Sequence, residues 1–145
     1  MSALANVLRI ALVVGTGLPA PVAEQAPRIA VIVSKSSRVE HVSKDDLREL
    51  YLRRRRLWDD GDRALPVNLP AGNPVRERFS RLVLGRSSDE LVAYWNGRYF
   101  EGITPPAVLP TPTAVNAFVA DEPNAIGYVP ADEAGSKCRV VLLLE

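Results

Sequence analysis

Apolar positions along this chain alternate between short unbroken runs and stretches with helical spacing. Residues 28–33 (Arg-Ile-Ala-Val-Ile-Val) form a continuous apolar run, the pattern of a strand buried on both faces. Ser43-Lys-Asp-Asp46 reads as a capping box ahead of Leu47, Leu50 and Tyr51 at helical spacing. Asp59, Asp60, Gly61 and Asp62 mark a turn, and 67–69 a short strand. Asn73 then suits an N-cap and Pro74 the first helical position. Val75, Phe79, Leu82 and Val83 follow at i, i+4, i+7 and i+8, one apolar helix face, and Gly85 is placed to stop it. Ser87 and Glu90 frame a second capping box, with Leu91, Val92, Trp95 and Tyr99 as an inward apolar face. A brief strand over 107–109 precedes a helix opened by Thr111-Pro112, with Val115, Phe118 and Val119 inward. Residues 125–129 and 139–144 are further apolar strands. Strands alternating with helices predict an α/β fold with a mainly parallel sheet flanked by helices.

The chain has 145 residues, enough for one domain with one core. A hydrophobic content of 47% against 24% charged residues argues for a globular chain over a disordered one. The formal net charge is only +1, which excludes a global field toward nucleic acid or a membrane surface. The N-terminal run is small, apolar and broken by prolines up to Ala23, the layout of a secretory signal peptide. This divides the chain into a leader over 1–23 and a domain over 24–145, and implies export to the periplasm. The alternative for the same run is a buried first strand or helix. It is too short to span a bilayer comfortably.

Candidate chemistry is sparse. The single cysteine, Cys138, excludes an internal disulfide and a cysteine metal cluster. With His41 as the single histidine, a nucleophile–base pair or a zinc site has too few members, so no cofactor and no enzymatic activity is expected. The paired acids Asp45-Asp46 and Asp89-Glu90 suit helix N-termini. The arginine run 53–56 reads as the cationic end of a helix followed by a solvated turn, offset by Asp59, Asp60 and Asp62. Trp58, Tyr94, Trp95, Tyr99 and Phe100 read as core and rim aromatics.

One stretch stands apart, the strand, loop and helix around 66–84. A loop with a glycine entering a helix N-terminus presents free N–H groups to an anion. In the functional reading, Asn68, Gly72, Asn73, Val75 and Arg76 bind a small anion, with Gly72 allowing close backbone approach and Arg76 supplying charge. In the other reading Asn73 caps its own helix and Arg76 is solvated; Pro74 favours this, since it removes a donor. The pattern alone leaves both open.

Taken in order, Ile-Ala-Val-Ile-Val-Ser-Lys, Val-Ser-Lys-Asp-Asp-Leu-Arg-Glu-Leu-Tyr, Leu-Trp-Asp-Asp-Gly, the loop into Arg76-Glu-Arg-Phe79, Ala114-Val-Asn-Ala-Phe-Val, and Asn124-Ala-Ile-Gly-Tyr-Val129 resemble the phosphate-binding subunit of phosphate ABC transporters. The resemblance covers about 28–130 and implies one lobe of a type II periplasmic-binding-protein fold. It also implies phosphate or another small anion as ligand. The family's loop is usually Gly-Ser-Gly-Thr-Arg; here the matching residues are Gly72, Asn73, Pro74, Val75 and Arg76, without its hydroxyls. The family has two lobes and this chain suffices for about one. The alternative implied by both departures is an envelope protein-interaction module that kept the lobe and lost the ligand, with a partner face around 95–100 or 53–56.

Overall fold

In a computed structural model of the chain, residues 14–21 and 26–145 are described. Residues 14–21 carry no regular element and are exposed. The rest of the expected leader, and its cleavage point after Ala23, lie outside the described residues.

Among the described residues the strands and α-helices are β1 (Ile29–Ser34), α1 (Lys44–Tyr51), β2 (Leu65–Asn68), α2 (Pro74–Phe79), α3 (Val92–Phe100), β3 (Ala107–Val108), α4 (Pro112–Asp121), β4 (Ala125–Pro130) and β5 (Cys138–Leu144). A π-helical turn over Ser80–Leu84 continues α2. The sheet order is β3-β2-β4-β1-β5. β2 is parallel to both β3 and β4, whereas β1 is antiparallel to β4 and β5. The sheet is therefore mixed, although four of its five strands point one way.

The antiparallel centre follows from the path of the chain. Val33, near the end of β1, and Pro66, near the start of β2, both lie beside Ile126 of β4. The chain runs out along α1 and returns over 52–64, so no crossover separates β1 from β2. The later connections, through α2 and α3 and through α4, do cross over and yield parallel pairs.

The core forms where sequence alternation meets both faces of β4. Successive strand residues point to opposite faces. Gly127 faces α4, where an added Cβ would lie 2.7 Å from Val115 Cγ1 and 3.2 Å from Val119 Cγ2. A side chain there would hold the helix off the sheet. Tyr128 faces the other layer, stacked on Phe79 of α2 at 3.8 Å between ring centroids, with Tyr51 of α1 edge-on to Phe79 at 4.8 Å. The buried Tyr51 hydroxyl donates to the carbonyls of Val67 and Ile126 at 2.9 and 3.2 Å.

Local signals held where they concern caps. Ser43 Oγ accepts from the Asp46 N–H, and Asp46 accepts from the Ser43 N–H, closing the first box. The Ser87–Glu90 pair makes the same reciprocal bonds, but it closes the turn over 88–91, and α3 itself starts behind Leu91 with no side-chain cap. Gly85 ends the second helical stretch at φ 71°. The strand β1 is buried throughout, as its apolar run implies.

Three packing expectations fail. Of the face expected inward on α3, only Leu91 is buried; Val92 and Tyr99 are exposed, and Phe100 is 89% exposed. Phe118 of α4 is also 38% exposed where burial is expected. β5 is an edge strand whose Val140 and Leu143 face out, so its apolar run is not buried on both sides.

Candidate functional site

The carboxyl end of β2 delivers the loop to α2, and β4 supports it from beside. The Tyr128 hydroxyl donates to Asn68 Oδ1 at 2.8 Å and accepts the Leu69 N–H at 3.4 Å. Burial pushes the Tyr128 phenol far above its usual pKa, so it stays a neutral donor. Pro70 to Asn73 then forms a β-turn, with the Asn73 N–H donating to the Pro70 carbonyl at 3.1 Å. Gly72 occupies the turn position that needs positive φ, here 83°. Its glycine is thus required by the turn itself, independent of any ligand.

All five expected residues come together here, but their donors are turned on one another. Asn73 Oδ1 accepts from the Val75 N–H at 2.9 Å and the Arg76 N–H at 3.4 Å. Arg76 Nη1 donates to the Leu69 carbonyl at 2.9 Å, clamping the two ends of the loop. Asn68 is buried beneath the loop and engaged by Tyr128.

The sequence reading missed Glu77. Its Oε1 accepts from the Gly72 N–H at 3.2 Å and from the Ser88 hydroxyl at 2.5 Å, and its Oε2 accepts from the Ser88 N–H at 3.2 Å. The Ser88 hydroxyl, with the Ser88 and Gly72 amides and nearby Arg76, holds this carboxyl below its ordinary pKa, against burial that raises it. A carboxylate therefore sits on the very amide an anion would use. The signal was legible: an acid in the first turn of a helix competes for that helix's own N-terminus.

The other candidates fall elsewhere. The arginine run follows the end of α1, with Arg53 at φ 58°. Arg54 and Arg55 pair with Glu49 and Asp46 of α1 itself, at 3.4 and 3.1 Å, in place of the expected turn aspartates. Burial, with Arg63 and Arg56 nearby, lowers the Arg53 pKa. α3 hangs on this segment: the Tyr94 hydroxyl donates to the Leu52 carbonyl at 2.6 Å and Arg98 Nη2 to the Arg53 carbonyl at 3.2 Å. Cys138 is buried, its thiol raised by that burial and directed to the Asn116 carbonyl. His41 is exposed beside Trp58 and Asp59. No described helix is long and apolar enough to cross a membrane.

No protein-family model and no curated protein matches the sequence. Solved structures do match. A protein described as a phosphate ABC transporter substrate-binding protein from Clostridium perfringens, solved with bound phosphate, superposes with a TM-score of 0.64 at 18% identity, over 79% of this chain and 45% of that one. An ABC-type phosphate transport receptor from Vibrio cholerae gives 0.64 at 14% identity, over 79% and 46%. PstS from Borrelia burgdorferi gives 0.53 at 13%, over 71% and 41%. The chain thus spans less than half the length of the structures it matches. Its mixed five-stranded sheet and flanking helices have the fold of one lobe of the phosphate-transporter binding proteins.

Proposed function

We propose that this chain is an exported, non-enzymatic binding-protein lobe of the phosphate-uptake type, working in the periplasm. Phosphate or a similar small anion contacts it weakly at the loop of Asn68, Gly72, Asn73, Val75 and Arg76. The observation that carries this reading is the strand–loop–helix bearing Arg76, in a fold shared with a protein solved with phosphate. Weakness follows from the internal bonds. An incoming anion must displace Glu77 from Gly72 and draw Arg76 from Leu69, so it exchanges hydrogen bonds with little net gain. An affinity in the millimolar range, about −4 kcal/mol, is what such an exchange leaves.

Calorimetric titration with phosphate, sulfate and carboxylates tests this. Weak heat with phosphate, abolished by Arg76→Ala, is the expected result. No heat from any of the anions overturns it.

A second reading, an envelope interaction module, is favoured by α3. This helix presents Val92, Tyr99 and Phe100 to solvent and is held by two side-chain hydrogen bonds to 52–53. Here the lobe binds a protein through that face. Purification from the native envelope then yields a stoichiometric partner that is lost in Tyr99→Ala/Phe100→Ala. Repeated recovery as a lone monomer contradicts it.

A further inference from the structure

Beside the loop lies a cleft that the anion reading does not use. It is half open, about 500 Å³, and sits between α2 and the junction of β1 with β4. The volume falls within the range of small-molecule sites, roughly 300–1,000 Å³. It also lies at the carboxyl end of β4, where ligands gather in sheets of this kind.

The walls are of two kinds. Pro27, Ile29, Pro74, Val75, Leu82 and Pro130 make an apolar floor. Arg28, Arg78 and Arg81 stand around it. On α2 and its continuation, Pro74, Arg78, Arg81 and Leu82 recur at i, i+4, i+7 and i+8, so one helix face supplies both apolar and cationic contacts.

The charge is unbalanced. Arg78 and Arg81 form no ion pair among the described residues. Arg78 Nε is buried with no hydrogen-bond partner among them. Among the described residues Arg28 pairs only with the exposed Glu145, at a loose 3.7 Å. Glu77, the acid that also borders the cleft, is already engaged by Gly72 and Ser88.

From this geometry we infer that the cleft binds a small amphiphilic anion, with an apolar body on the Ile29, Leu82 and Pro130 floor and a carboxylate or phosphate head at Arg78 and Arg81. A bare inorganic ion is excluded as the preferred ligand because the floor offers it no donors in exchange for its hydration. A neutral apolar molecule leaves the arginines unanswered. Guanidinium groups suit either head, since both accept paired N–H bonds. The head-group position at Arg78 and Arg81 is distinct from the loop, although Pro74, Val75 and Glu77 border both.

The test is an amide NMR titration of the full chain with octyl phosphate, octanoate, octyl glucoside and inorganic phosphate. The first two are expected to shift the Ile29, Arg78, Leu82 and Ala131 amides saturably, with affinity about tenfold or more above that of inorganic phosphate. Arg78→Gln/Arg81→Gln weakens both anionic amphiphiles severalfold and leaves the octyl glucoside response unchanged. Arg81→Gln alone, at an exposed residue, serves as a second variant with the same direction should the double variant fold poorly. The inference is overturned by no saturable shift at those four amides, by an equal response to octyl glucoside, or by folded variants that bind as well as the parent. Inorganic phosphate reports separately on the loop through the Gly72 and Arg76 amides, so failure in the cleft and failure at the loop are distinguishable.

Discussion

Replacing Glu77 with glutamine should strengthen phosphate binding, although the residue lies outside the usual set of anion-binding groups. Its carboxylate is 3.2 Å from the Gly72 nitrogen. An anion sharing that amide approaches the carboxylate to about 4 Å, where two like charges repel by roughly 1 kcal/mol in bulk water and about 4 kcal/mol with the weaker screening of a protein surface. Removing the charge therefore raises phosphate affinity by about tenfold or more. The same change weakens the charge-assisted bonds from Ser88, and costs about 1–3 kcal/mol of stability. Calorimetry at low ionic strength reads the first effect, and urea melts read the second. Glu90→Gln is the control, because Glu90 caps Ser87 and touches none of the loop residues named above. A folded Glu77→Gln protein with phosphate affinity equal to or below the parent's refutes the idea that this carboxylate occupies the anion position.

Three further outcomes are expected. Gly127→Ala drives a methyl group into Val115 and Val67 of the core, at 2.7 and 3.1 Å, and destabilises by about 1–3 kcal/mol; Val115→Ala in the same chain recovers most of the loss in thermal melts. Ser43→Ala removes the acceptor of the Asp46 N–H and costs about 1 kcal/mol in urea unfolding. The backbone and hydroxyl of Ser43, then Arg55, lower the Asp46 pKa, as Ser88 and its neighbours lower that of Glu77. Both folded values lie below the unfolded ones, so their contribution is complete above the ordinary carboxylate range. It is lost as pH falls through the lowered values. Urea midpoints should therefore drop below about pH 4, and less steeply in Asp46→Asn. An unchanged slope in that variant argues against the Asp46 contribution.

How far the sequence spoke for itself differs by residue. Ser43, Asp46, Asn73 and Gly85 act through bonds to their own neighbours in the chain, and Pro74 through its fixed φ, so spacing alone revealed them. The β1 and β4 runs are buried, as unbroken apolar stretches imply. The antiparallel pairing of β1 was hidden, because alternation of strand and helix does not record that 52–64 doubles back. The outward face of α3 was hidden for a related reason: periodicity marks an apolar stripe but not what covers it. At the loop, spacing placed the five residues on one strand–loop–helix junction and left open whether they serve a ligand or each other. The deciding group was Glu77, whose partner Ser88 lies eleven residues away across the second helical stretch.

The most direct measurement is a high-resolution crystal structure of the protein equilibrated with about 0.1 mM phosphate, well below a millimolar dissociation constant. Glu77 resting on the Gly72 amide and Ser88, with Arg76 on the Leu69 carbonyl and no tetrahedral density between them, is the expected result. Phosphate seated on the Gly72, Val75 and Arg76 amides at that concentration, with Glu77 swung away, contradicts the weakness of the site, and its absence there at about 50 mM phosphate contradicts the binding itself.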